Sequence, residues 1–177
     1  MRLHPKHHKS KVYFELEHYN DLFSDFDPRD YPTRALSVDF IEEAERAMRE
    51  REERVTLHFI LPKKKRDPQA ERSIKTRIKE HFTKHADRMQ EEKRSTIRKG
   101  AGLFVCGIIF MAVTTYLHSI NNGSYVVNFL TILFEPASWF LFWEGLNFSL
   151  FESKKQDMQL QFHQKMKNIK GIVFENE

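Results

Sequence analysis

The sequence is poor in cysteine, glycine and proline, with one, six and six in 177 residues, and it has no lysine or arginine between Gly100 and Ser153. A single cysteine excludes an intramolecular disulfide framework and any CxxC metal or redox pair. Because Cys106 lies inside an apolar run, it reads as a buried structural thiol. There is no Walker A loop, no HExxH and no nucleophile–base motif, so an enzyme is not expected, and neither is a cofactor or a metal. The His-rich, polar N-terminus lacks an apolar h-region, so no cleaved signal peptide is expected. Internal repeats and low-complexity linkers are absent as well.

Two long apolar stretches occupy the region without basic residues. Residues 100–120 (GAGLFVCGIIFMAVTTYLHSI) carry no charge, and at about 1.5 Å rise per residue they reach roughly 31 Å, the thickness of a bilayer core. Residues 125–150 (YVVNFLTILFEPASWFLFWEGLNFSL) are as long but contain Glu135 and Glu144. Only Asn121-Asn122-Gly123-Ser124 separates the two stretches, which predicts a transmembrane helical hairpin. Charge divides accordingly: residues 1–99 sum to +5, residues 100–150 to −2 and residues 151–177 to +1. Lys93, Arg94, Arg98 and Lys99 precede the first span, Lys154 and Lys155 follow the second, and the turn is uncharged. Positive residues stay on the cytoplasmic side, so the expectation is an inner-membrane protein with both termini cytoplasmic.

The remaining chain reads as a small α/β domain. Residues 11–17 alternate, with Val12, Phe14 and Leu16 on one face, and residues 54–61 do the same with Val55, Leu57, Phe59 and Leu61. Between them, Ser37 can cap a helix to about Arg51 with Ile41, Ala44 and Met48 on one side. Strand, helix, strand fits a βαβ-like unit or a split antiparallel one. Asp67-Pro68 is a helix start, and Ile74, Ile78, Phe82, His85 and Met89 then recur every three or four residues. Nothing interrupts that pattern before Gly100, so one long helix is expected to feed the first span. Met158, Phe162, Met166 and Ile169 mark another amphipathic helix that Gly171 can end, and IVFE reads as a short strand returning to the sheet. The expected fold class is therefore an α+β membrane protein: a two-helix transmembrane hairpin, a small cytoplasmic α/β domain and a long helix leading into the first span. Its expected parts are a strand-helix-strand domain (1–66), a connecting helix (67–99), the hairpin (100–150) and a cytoplasmic helix and strand (151–177).

Glu135 is the residue most in need of an explanation, since a carboxylate at mid-membrane costs about 2.5–3.5 kcal/mol on insertion scales. With Ser124, Asn128, Thr131, Ser138, Phe142, Gly145 and Ser149 it lies within roughly 100° of a helix wheel. Such a stripe fits a helix-packing face, a pore lining repeated around an oligomer, or a proton-coupled carboxylate. Pro136 permits a kink beside it. Glu144 reads as interfacial, and Trp139 and Trp143 as interface anchors or packing residues. In the first span Gly100, Gly107, Met111, Thr114 and His118 form a packing row.

Lys63, Lys64, Lys65 and Arg66 sit between a strand and a helix N-terminus, where amides, helix dipole and cations suit a phosphate. The alternatives are a solvated loop, whose neutralisation should cost little stability, and a lipid-headgroup contact. A nucleotide or oligonucleotide signal is the ligand class the phosphate reading implies. His81 and His85 lack the Glu of HExxH, and Asp25, Asp27 and Asp30 do not match a calcium loop.

The run FEPASWFLFWEGL, the charged amphipathic helix after it and the IVFE strand resemble small bacterial two-pass membrane proteins. In outline the layout also resembles membrane effectors of nucleotide-signalled antiphage systems. That resemblance implies a cytoplasmic domain that senses a signal and a hairpin that acts on the bilayer. The expected function is a homo-oligomeric channel or membrane-disrupting effector gated by its cytoplasmic domain. The rival is a membrane-anchored module that recruits a partner to the inner surface.

Overall fold

The computed structural model describes residues 2–3, 10–49, 51, 54–120 and 123–176. The chain divides into two compact units: Met1–Asp87 with Gln159–Glu177, and Arg88–Met158.

The first unit is a small sheet with helices. Strands β1 (Arg2–Leu3), β2 (Lys11–Glu15), β3 (Thr56–Leu61) and β4 (Gly171–Asn176) lie in that order, with β2, β3 and β4 parallel and β1 antiparallel at the β2 edge. Helix α1 (Val38–Arg49) connects β2 to β3, so the strand-helix-strand segment is the parallel βαβ unit. The IVFE strand does return to the sheet, pairing with β3 from Thr56↔Gly171 to Leu61↔Asn176. Alternation explains the core: Val12, Phe14, Leu57, Phe59, Leu61 and Phe174 point to one face and are buried there. Against them pack Phe40, Ala44 and Met48 of α1, Ile74, Ile78 and Phe82 of α2 (Pro68–Ser119), and Phe162 and Met166 of α5 (Asp157–Lys167). On α1 it is Phe40, fully buried, that leads the core face, while Ile41 is only partly buried. Lys165 Nζ donates to the Met48 and Arg51 carbonyls at 3.2 and 2.7 Å, supplying a cation where α1 ends.

The second unit is a helical hairpin. Helix α2 is continuous for 52 residues, longer than the periodicity from Ile74 to Met89 alone required. Helix α3 (Tyr125–Leu146) starts after Ser124; the Asn121-Asn122 part of the expected turn lies outside the described residues. Beyond α3 the chain stays helical but in π geometry over Asn147–Glu152, followed by a single α turn, α4 (Ser153–Lys155). Both helices are long and apolar enough to cross a bilayer, and only 11% and 6% of their apolar windows are buried. A core helix of a soluble protein would be mostly buried, and these are not.

Small residues let the two helices approach closely. A Cβ on Gly107 would lie 2.6 Å from Phe142 N and 2.9 Å from Phe142 Cα, and one on Gly145 would run into the Phe104 backbone. Gly100 meets Ser149 and Phe148 in the same way. Phe104 stacks obliquely on Phe142 at 4.9 Å and Phe110 meets Phe134 edge-on at 5.2 Å, filling the gaps between the glycines. Gly102, by contrast, faces open space. Replacing Gly107 with Val should therefore separate the helices and expose Phe142, whereas Gly102→Val should not. Protease accessibility of the hairpin in detergent measures this: rapid cleavage of Gly107→Val with wild-type resistance of Gly102→Val is the expected outcome.

Candidate functional site

The carboxyl edge of the parallel strands gathers the basic loop. Chain reversal there is tight: β3 ends at Leu61, Lys63–Lys65 form one 3-10 turn, and α2 begins at Pro68. Lys63 and Lys64 are exposed. Lys65, also exposed, reaches the Glu17 carbonyl at 3.1 Å and His18 Nε2 at 2.9 Å.

Arg66 differs from its neighbours. Its guanidinium donates to both oxygens of Glu71, at 2.7 and 3.0 Å, and to Asn176 Oδ1 at 3.1 Å. Glu71 is buried at 6% exposure and also accepts from Tyr19 Oη at 3.0 Å, while Tyr19 Oη accepts the Asp67 amide at 2.9 Å. Burial raises the Glu71 pKa, but the hydrogen bonds from Arg66 and Tyr19 outweigh it and hold the carboxyl below its ordinary range. Tyr19 is pushed up, chiefly by burial. At the helix start, Asp67 Oδ1 accepts the Gln69 amide at 2.8 Å, so the protein's own carboxylate occupies the position a phosphate would take. The solvated-cation expectation thus fits Lys63 and Lys64, and Arg66 is a correction to it: it is the counter-ion of a buried acid. Substituting Lys63 and Lys64 together with Ala should change stability by no more than about 0.5 kcal/mol. Arg66→Ala should cost about 1–3 kcal/mol, because it leaves Glu71 buried and unpaired. Denaturant unfolding at pH 7 separates these cases. Since the folded pKa of Glu71 lies below its unfolded value, the wild-type advantage is present above the unfolded pKa and fades as pH falls below it.

The polar stripe of α3 does not face one direction. Ser138 and Gly145 are buried, Phe142 and Ser149 are half-buried against α2, and Thr131 is half-buried. Ser124, Asn128 and Glu135 are exposed on the hairpin surface. Ser138 Oγ donates to the Glu135 carbonyl at 2.7 Å, and Thr131 Oγ1 to the Val127 carbonyl at 2.9 Å, so both hydroxyls are satisfied along their own helix. Trp139 and Trp143 lie 58% and 51% exposed beside the stripe, their rings edge-on at 5.7 Å. Glu144 is half-buried. In the first-span row, Gly100 and Gly107 are buried, Met111 and Thr114 half-buried, and His118 exposed. Cys106 is partly buried.

One cluster is only partly signalled in the sequence, by the i, i+4 pair His81 and His85. His81 and His85 pack at 4.3 Å between ring centroids, and His163 of α5 joins them 5.8 Å from His85. Only the return of α5 to α2 brings the third ring in. Burial first, then His85, Arg77 and His163, lower the His81 pKa to about 4. Among the described residues no group of three metal-ligating side chains is arranged to hold an ion. Because the neutral imidazole is favoured by the fold, the stability His81 contributes is present above its unfolded pKa and is lost as pH falls towards 4. Unfolding at pH 7 and pH 5 should show a smaller loss for His81→Phe than for the wild type.

In the acidic loop, Asp27 is held by Arg29 and by the Ala35 amide, which keep its carboxyl well below the usual range. Asp25 and Asp30 are exposed.

Comparison of the chain with protein-family models, with curated proteins and with solved structures finds no match.

Proposed function

We propose that the protein is a homo-oligomeric membrane channel or membrane-disrupting effector, inserted in the bilayer by its hairpin and gated by its sheet-containing unit. The exposed position of Glu135 midway along a mostly apolar helix carries this reading. Lipid penalises a lone carboxylate at that depth, so it needs water or a polar neighbour. The α2 face of the hairpin is already filled by Gly100, Gly107, Phe142 and Gly145, which leaves the outer surface for that neighbour. Asn128 and Ser124 continue the same exposed polar line. Two helices cannot enclose an aqueous path, so further copies of the chain are the partners of suitable chemistry.

The basic flanks support an inner-membrane topology with both termini cytoplasmic. Lys63 and Lys64, free of the Glu71 network at the carboxyl ends of parallel strands, are where a phosphorylated signal such as a nucleotide or oligonucleotide engages. The continuous helix α2 provides the route from that edge to the first span. Resemblance to the effectors of nucleotide-signalled antiphage systems supplies the setting, bacterial defence.

Purified wild type in liposomes should pass cations, because a ring of carboxylates favours them. Glu135→Gln keeps size and hydrogen bonding, so assembly should persist while cation selectivity falls. Glu135→Leu should seal or misassemble the path. A wild type that conducts nothing, with a hairpin that only tethers the sheet-containing unit, would establish the recruitment module instead. Topology is read with reporters: fusions at either end should be cytoplasmic and an insertion beside Gly123 external.

A further inference from the structure

The charged ends of the hairpin lie level with each other. Gly100 of α2 meets Ser149 and Phe148, and seven residues earlier Lys93 Nζ bonds Asp157. Between Arg88 and Lys99, and again between Leu150 and Met158, stand seven cations against four acids. Three of the acids are committed: Glu92 to Arg88 at 2.9 Å, Asp157 to Lys93, and Glu152 to Lys155 at 2.6 Å. Glu91, the fourth, is exposed and precedes Gly100 by about 14 Å of helix. Arg94, Arg98, Lys99 and Lys154 are exposed and have no acidic partner among the described residues.

Membrane orientation needs only the sign of such charges, and a paired lysine serves it as well as a free one. The free cations have a common direction and depth. On the α2 wheel Arg94, Arg98 and Lys99 fall about 80° or more from Gly100 and Gly107, so they point away from α3. All three lie within about 9 Å of Gly100, and Lys154 follows Ser149 by about 7 Å. A headgroup layer is roughly 5–8 Å deep, and long basic side chains extend their reach across it. At the same level Ile97, Leu150 and Phe151 are 40%, 50% and 62% exposed. Water penalises apolar area beside the charges, whereas a lipid interface accommodates both.

We propose that this collar of unpaired cations is a binding surface for anionic phospholipids. Arg94, Arg98, Lys99 and Lys154 hold the headgroup phosphates, and Ile97, Leu150 and Phe151 enter the adjoining acyl layer. Each arginine offers a fork that matches two phosphate oxygens, and the lysines add point charges. A zwitterionic lipid would bring a further cation to the same place, so charge selects the anionic class. The collar rests on the reading that the hairpin inserts in a bilayer, and it depends on neither conduction nor Glu135.

Lipid retention by the full-length protein tests it. After reconstitution in equal parts of phosphatidylglycerol and phosphatidylcholine and extraction in mild detergent, native mass spectrometry counts the lipids that stay. Wild type should keep phosphatidylglycerol over phosphatidylcholine by about fivefold or more, the factor one cation near an anionic surface supplies. Arg94→Gln, Arg98→Gln, Lys99→Gln and Lys154→Gln together should bring the ratio near one. Arg98→Gln with Lys154→Gln leaves five of the seven flanking cations to hold the topology and should still lose at least half of the preference. Arg72→Gln, Lys79→Gln and Lys84→Gln, which remove exposed cations earlier on α2, should leave it unchanged. Equal retention of the two lipids by wild type, or an undiminished preference in both collar variants, would overturn the assignment. Inorganic phosphate added at constant ionic strength should leave the lipid bound, and displacement would give these cations to free phosphate instead. Resistance to an alkaline wash, measured on the same liposomes, separates the two readings: an inserted chain without lipid preference removes only the collar, and a chain that washes off removes the inserted hairpin too.

Discussion

A buried carboxylate ties together the ends of the sheet-containing unit. Glu71 sits in the first turns of α2, and through Tyr19, Arg66 and Asn176 it reaches the segment after β2, the loop after β3 and the last residue of β4. Burying that charge is costly, and only the full set of donors offsets it. The arrangement dictates which cations of the basic loop are free. It also positions the start of α2, because the Asp67 amide is held by the same Tyr19 hydroxyl that bonds Glu71. A loop that looks like a uniform run of charge thus divides into a structural arginine and exposed lysines.

The hairpin obeys a different constraint, the absence of bulk between its helices. Glycine at 107 and 145 admits the opposing backbone, and the aromatic pairs Phe104–Phe142 and Phe110–Phe134 fill what the glycines leave. Contact of this kind relies on dispersion and shape, the terms available to helices when burial from water contributes little. With that face consumed, the polar atoms left outside define what the hairpin can associate with.

Much of the secondary structure was legible because it rests on short-range pattern. Period-two alternation at Val12–Leu16 and Val55–Leu61, and the 3–4 spacing from Ile74 to Met89, are properties of neighbouring residues. Pairing partners were less legible. Alternation alone does not distinguish a parallel from an antiparallel β2–β3 pair, and their parallel register appears only once α1 spans them. The helix wheel grouped Glu135 with Ser138 and Gly145 because they share a sector, yet a sector is wide enough to straddle the boundary of a packing face, and Glu135 falls outside it. Arg66 could not be separated from Lys65 because its partners, Glu71 and Asn176, are 5 and 110 residues away. His163 was invisible as a neighbour of His85 for the same reason.

The π-helical stretch Asn147–Glu152 has an evolutionary consequence. Its i→i+5 bonding accommodates more residues per turn than an α-helix does, as though the chain had gained a residue without losing helical continuity. Ser149 sits against Gly100 inside it, and Ser153 Oγ back-bonds to the Ser149 carbonyl at 2.7 Å, so the wide turn is anchored on one side and adjustable on the other. Loss of one residue there would restore ordinary pitch and rotate the downstream helix by about 100° relative to α3. This is the point in the hairpin where length variation is tolerable to the backbone, and where homologous chains differing by a single residue would differ in the direction their downstream charges face.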